Sequence, residues 1–362
     1  MSSCAGPNGF SSKAENWLDR NFERRVEMKK AIRVMCVAAI VAVLGSGASA
    51  DSFGTGGNQF TIDFVTISGS SNPASGYGIV AGDYRMGIHE ITVGQWDKFN
   101  AELSPLAVTG SPADAYDTAP TWTSANIPVN RISLYEAMQF VNWLNTSKGY
   151  QAAYKFTGTQ GDGEGDSDPY TPALWTPAEA AGGTNLNRHK DAAYFLPTED
   201  EWVKAAYWNG TAIQAYATKD NSVPPEWTPN GGPQSNGQAA GWNYAYAYPT
   251  NNIAAAQPWD VTAGYCPEEL NGTFDMMGNL MEWMESPYFA PPDYAVDSWR
   301  PQRGSSHFGT EWYLASTARR YGDEPNEGYD AGLRVASNVP DPCSSGLLAL
   351  CGLAVCGRRR LR

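Results

Sequence analysis

Three stretches of the chain place apolar residues at helical spacing directly behind the same polar start signal. ITVGQWDKFNAEL sets Thr92 before Gln95, RISLYEAMQFVNWLN sets Ser133 before Glu136, and LPTEDEWVKAAYW sets Thr198 before Glu201. At this spacing the hydroxyl accepts the N–H of the third helical residue, and the acid or amide reaches back to the cap's own N–H. Two donors that the helix cannot satisfy by itself are thereby paired. Behind the starts, Val93, Trp96 and Leu103, then Ala137, Phe140, Val141 and Leu144, then Trp202, Ala205 and Ala206 recur on one face. This predicts three short amphipathic helices whose Trp and Phe residues are core. Alternation in NQFTIDFVTI (58–67) and GLRVAS (332–337) predicts a strand near each end of the folded body. Elsewhere Gly, Pro, Asn and Ser punctuate the chain, and the segment from Gly158 to Asn187 reads as a surface insertion.

Within that insertion GDGEGDSDPY spaces acids at 162, 164, 166 and 168, as a calcium loop of the helix–loop–helix kind would. Ser167 stands where that loop needs its turn glycine and Ala173 where it needs its closing glutamate, so the run reads as a solvated acidic loop.

The two ends differ in character from the body. MKKAIRVMCVAAIVAVLGSGASADS runs from a basic start through an apolar stretch to small residues at Ala48 to Ala50, the pattern of a secretory signal over 28–50, and its apolar stretch is too short for a stable span. On that reading Met28 is the initiator and 1–27 an over-extended start. The other end, 339–362, carries VPDP, an apolar stretch and Arg358, Arg359 and Arg360. Between Asp51 and Val339 there are 14 Lys and Arg against 33 Asp and Glu, a net of −19, where the whole chain carries −13. A surface of that sign repels nucleic acid and favours cations or neutral partners. Of the six cysteines only Cys266 lies in the body, which excludes an internal disulfide framework and a C-x-x-C metal site there.

DMMGNLMEW (275–283) is the least expected run, with Asp275 and Glu282 bracketing a Gly-Asn pair. Glu282 is open to three readings: a catalytic acid, a metal ligand, or a loop carboxylate paired with a base.

Six blocks, YRMGIHEITVGQWDKF, PVNRISLYEAMQFVNWLN, YFLPTEDEWVKAAYWNG, GTFDMMGNLMEW, QRGSS and AGLRVAS, together resemble, in order, the formylglycine-generating enzyme or sulfatase-modifying factor family. The resemblance implies one α+β domain over 51–338 with a C-type-lectin-like core, low in regular structure and stabilised by calcium. Carried over residue by residue, it makes Asp275 and Glu282 side-chain ligands, with carbonyls from Gly278 and Leu280. A hard cation does need such an oxygen shell, and a Gly-Asn turn can supply it. For a second calcium the resemblance offers Asn243, with Asn251 or Asn252 as poorer candidates. The tail resembles a PEP-CTERM sorting signal, with Asp341 where the motif has Glu.

The family's oxidase chemistry needs two cysteines downstream of the block here written QRGSS, to hold copper(I) and engage the substrate cysteine. RGSSHFGTEWYLASTARR (303–320) contains none, so copper is not expected. Met281 and Phe195 also depart from the family's usual Trp and Arg. His307 is the one replacement candidate near the lost positions; His89, His189 and Cys266 lie in other blocks. Three functions stay open: a non-catalytic, exported binding or cell-surface module; an active formylglycine-generating oxidase; and a structural envelope or exopolysaccharide component. The first implies a protein or carbohydrate ligand, export and sorting machinery as partners, and a monomer.

Overall fold

The computed structural model describes residues 48–103, 120–157, 171–224, 242–244, 257–262, 264–289 and 298–340. Residues 1–47 and 341–362, on which most of the signal and sorting-tail readings fall, the acidic run at 162–168, and Asn251 and Asn252 lie outside them.

A five-stranded antiparallel sheet forms the frame. Strands β1 (Ser49–Phe53), β2 (Phe60–Ile67) and β3 (Tyr84–Gly87) pair in sequence. The helices α1 (Val93–Leu103) and α2 (Leu134–Thr146) follow, and then the short strands β4 (Lys155–Thr157), β5 (Thr171–Ala173), β6 (Ala180–Ala181), β7 (Asn185–His189) and β8 (Tyr194–Phe195). Helix α3 (Glu199–Tyr207) precedes β9 (Met281–Trp283), β10 (Trp299–Arg303), β11 (Arg320–Asp323), β12 (Ala331–Gly332) and β13 (Ala336–Ser337). The first sheet has the order β1-β2-β3-β13-β8, and a second has the order β11-β10-β9-β12, so among the described residues three helices accompany a mainly β, α+β body.

Period-two alternation in β2 explains how the sheet divides the core. Phe60, Ile62 and Phe64 point to the side covered by α1 and α2, where Trp96, Phe99, Phe140 and Trp143 interlock around the Phe60 ring. Val65 and Ile67 fall on the other side, with Trp202, Val203 and Ala206 of α3. Tyr194 and Phe195 split between the sides in the same way. Each such fully buried aromatic removes enough apolar area from water to stabilise the fold by about 2–3 kcal/mol.

All three predicted helix starts form. Ser133 and Thr198 complete reciprocal capping boxes with Glu136 and Glu201. The Thr92 N–H donates to Gln95 Oε1 at 2.8 Å, and Thr92 Oγ1 accepts from Gln95 N at 3.3 Å.

Two expectations change. The stretch 332–337 is not one strand: Gly332 pairs with Glu282 in the second sheet and Ser337 with Arg85 in the first, and Arg334 lies between them, fully buried. The segment 158–187 is also more than a surface loop. From Thr171 it returns as β5 against β4, and Asn185 and Asn187 donate to the Glu285 side chain at 2.5 Å and its carbonyl at 2.8 Å. Glu285 is buried and also accepts from Arg188 and the Tyr154 hydroxyl, so this part of the segment adds two donors to a buried polar cluster. The first described strand, β1, begins at Ser49, and Asp51 accepts from Arg85 and from the Tyr194 hydroxyl.

Candidate functional site

DMMGNLMEW passes through the middle of the second sheet. Its last residues form β9, which pairs antiparallel with β10 through Trp283–Gln302 and Glu282–Arg303, and parallel with β12 through Met281–Ala331 and Glu282–Gly332. Before β9 the chain makes a left-handed turn with φ of 57° at Asp275, 90° at Gly278 and 58° at Asn279. Gly278 is required for contact as well as for φ: a Cβ there would lie 2.3 Å from the Asn243 carbonyl oxygen.

Glu282 is held by a guanidinium. Arg334 and Glu282 are both fully buried and pair at 2.8 Å, with Arg334 Nε donating to the two carboxylate oxygens at 3.0 and 3.1 Å. Trp202 Nε1 donates to Oε2 at 2.6 Å. The rest of Arg334 donates to the carbonyls of Gly87, Ile88 and Phe274, which ties the first sheet to the second and to the turn. These donors occupy both Glu282 oxygens, and a positive group stands where a calcium ion would have to approach. As placed, Glu282 does not fit a calcium shell; it is paired with a base, as the third reading has it, but it stands on strand β9 and not in a loop.

The other nominated ligands lie close in the chain without forming one oxygen shell. Asp275 Oδ1 accepts from Trp259 Nε1 at 3.0 Å. The Asn243 carbonyl accepts from Asn279 N at 2.7 Å, and Asn243 Nδ2 donates to Asn279 Oδ1 at 3.1 Å. Leu280 is present through its N–H, which donates to Glu90 Oε1 at 3.0 Å. Among the described residues no group of three or more His, Cys, Asp or Glu side chains is arranged to hold a metal ion.

The turn is instead organised around Asn279 and Glu90, which sequence reasoning missed. Asn279 donates to Glu90 Oε2 at 2.6 Å and accepts from Trp259 N. Glu90 ends the YRMGIHE block, a carboxylate directly before the apolar Ile91, and that placement was the available signal. Burial, then Asp275 and Glu282, push the Glu90 carboxyl well above the usual range. Glu269 accepts from Trp242 Nε1, Met276 N and Thr273 Oγ1, and burial raises its pKa to about 8. Burial raises Asp275 to about 6. Arg334 is the base shared by this acidic neighbourhood, since it opposes the rise at Glu90, Glu269 and Asp275 alike.

The residues considered for redox chemistry are separated. Cys266 is buried, its thiol 3.4 Å from the Asp275 N–H, and burial with the charges of Asp275 and Glu269 raises its pKa well above the ordinary value. A thiol held protonated is a poor soft-metal ligand. His307 Nδ1 lies 2.9 Å from the Asn279 carbonyl, which fixes the proton on that nitrogen and leaves Nε2 as a buried lone pair without a partner. Burial lowers its pKa to about 4. His89 stacks on Phe274 and His189 meets Trp175. At the two further departures, Phe195 lies under the Arg188 guanidinium at 3.6 Å, and Met281 Sδ is 3.4 Å from Arg320.

No curated protein matches the chain by sequence. Among solved structures, Treponema denticola variable protein 1 aligns at 19% identity with a TM-score of 0.50, over 80% of this chain and 99% of its own. The crystal structure of CarF aligns at 18% identity with a TM-score of 0.50, over 77% of this chain and 99% of its own. At these identities the likeness speaks for the fold alone. The model of the sulfatase-modifying factor enzyme 1-like domain matches residues 47–339, which takes in the described sheets and helices and the Glu282–Arg334 centre. The chain therefore belongs to the sulfatase-modifying factor family.

Proposed function

We propose that this chain is a non-catalytic member of its family: an exported binding module that uses the fold to present a surface to a protein or carbohydrate ligand. The observation that carries the reading is chemical. The segment 303–320 has no cysteine, and Cys266, the one thiol of the body, is buried beside Asp275. Copper(I) needs soft thiolates, and a cysteine-oxidising reaction must also engage the substrate thiol. A single buried imidazole at His307 supplies neither function. The signal pattern at 28–50 and the sorting-tail pattern at 339–362 support export and a secreted or cell-surface location.

The test is incubation of the exported protein with a cysteine-containing sulfatase peptide, with and without copper, read by the mass of the peptide. No formylglycine is expected. Turnover that disappears in His307→Ala would establish the oxidase reading on an imidazole, and turnover that requires Cys266 would establish a rearranged thiol site.

A further inference from the structure

The tripeptide Asn-Gly-Thr occurs twice among the described residues, at 209–211 and 271–273, and the fold treats the two copies in opposite ways. In an Asn-Gly pair the backbone nitrogen after the asparagine can turn back onto the side-chain amide carbon, because glycine has no Cβ to block the approach and the widest backbone freedom. By sequence the two copies are equally reactive. Asn271 is locked: its Nδ2 donates to the carbonyls of Ala205 at 2.9 Å, Trp208 at 3.0 Å and Lys204 at 3.3 Å, where the end of α3 runs out of its own donors. The Gly272 N–H is engaged as well, donating to the Glu269 carbonyl at 3.2 Å, and a Cβ on Gly272 would lie 3.2 Å from Val65.

Asn209 is the reverse. It lies on an exposed turn closed by the Trp208–Ile213 bridge and by its own N–H, which donates to the Ala212 carbonyl at 3.1 Å. Its Oδ1 accepts from Thr211 Oγ1 at 2.8 Å and from the N–H groups of Thr211 and Ala212 at 2.9 Å each. Neither its Nδ2 nor the Gly210 N–H has a hydrogen-bond partner among the described residues. Gly210 has φ of 93° and nothing within 4 Å of the place a Cβ would take, so its peptide has room to rotate.

From this contrast we propose that Asn209 is a site of spontaneous deamidation in the folded protein and that Asn271 is protected from it. The Gly210 nitrogen gives its proton to solvent hydroxide and bonds to Asn209 Cγ; the Cγ–Nδ2 bond breaks, Nδ2 takes up a proton from water and leaves as ammonia, and a cyclic imide remains. Water then opens the ring at either carbonyl, leaving aspartate or isoaspartate at 209. Water is the only co-reactant, and nothing is oxidised or reduced. The three donors on Oδ1 stand where negative charge develops as the nitrogen adds to Cγ, and Nδ2 has no hydrogen bond to give up as it leaves. The fold shields the copy it depends on. An acid at 271 would set a carboxylate against three carbonyls, whereas aspartate at 209 keeps an acceptor for Thr211 and Ala212 and adds one negative charge to a chain whose net is −13.

The test is to hold the full-length protein in mildly alkaline buffer, withdraw samples over days and digest them at acid pH, with each new acid localised by peptide fragmentation and isoaspartate scored with an isoaspartyl methyltransferase. The Asn-Gly pairs at 8, 230 and 236 lie outside the described residues and are read separately. Asn209 is expected to convert about a hundredfold faster than Asn271, because four hydrogen bonds hold the second copy and must open before it reacts. In urea the two copies, being the same tripeptide, should convert at similar rates. Native rates that are equal or reversed would overturn the proposal, as would an Asn209 that stays intact in the fold while the urea-unfolded chain converts there. A difference that survives unfolding would also overturn it, since it would trace to sequence neighbours and not to the fold.

Discussion

Replacing Arg334 with methionine removes the one base of a buried acidic neighbourhood while keeping a side chain of comparable length. Glu282 would keep only Trp202 as a donor, the carbonyls of Gly87, Ile88 and Phe274 would lose theirs, and Glu90, Asp275 and Glu269 would lose a common counter-charge. Breaking a fully buried pair by removing one partner costs about 3–5 kcal/mol. The abandoned carbonyls add to this, against a total stability of about 5–15 kcal/mol for a domain. Lys219–Glu268 provides the contrast, because its distance is also 2.8 Å while its side chains are 59% and 54% exposed. Lys219→Met is expected to cost under about 1 kcal/mol. Urea unfolding followed by tryptophan fluorescence measures both. Arg334→Met should have a much lower midpoint or no cooperative transition, and Lys219→Met should follow the wild type. Equal midpoints for the two variants would refute the claim that burial, and not distance, sets the worth of these pairs.

Three other expectations follow from the same geometry. Since Arg334 and Trp202 fill both Glu282 oxygens, any response of the melting temperature to a calcium chelator should be the same in Glu282→Ala as in the wild type; a fall that Glu282→Ala abolishes would show a bound ion there instead. Glu269 holds its proton in the fold up to about pH 8, whereas the unfolded carboxyl releases it near its ordinary 4.5, so its contribution to stability is full below that value and lost as pH rises to 8. Glu269→Gln should therefore flatten the decline in unfolding midpoint between pH 5 and 8, and parallel curves for the two proteins would exclude Glu269 as its source. Gly278→Ala, which puts a methyl against the Asn243 carbonyl at positive φ, should lower stability by about 2 kcal/mol or more by urea titration; a neutral result would mean that the turn can relax.

Local signals in the sequence were reliable because their partners lie within one helical turn. The three capping pairs and the β2 alternation needed no knowledge of the rest of the chain. The resemblance makes Glu282 a calcium ligand; the residues around it do not show its counter-ion, which lies 52 residues away inside a stretch whose alternation predicts one strand. An arginine amid LRVA is itself a clue, since a charge on an apolar strand must find a partner or leave the core. Nothing local could reveal that Arg334 turns inward between two sheets, or that Asn185 and Asn187, in a segment of loop composition, supply donors to Glu285.

The place of β13 also bears on how the chain reaches this state. Ala336 and Ser337 lie in the interior of the five-stranded sheet, between β3 and β8, so the last of the described strands to leave the ribosome is a central one. Until it arrives, β3 and β8 face an open slot and the carboxylates around Glu282 have no arginine. Most of the pairing is long-range in sequence, which makes for slow closure. A nascent chain ending before residue 331 would thus carry every described helix and most of the described strands without the piece that locks them. Its folding waits for β13 to be made, and products cut short of that strand would fall to proteolysis instead of persisting as partial domains.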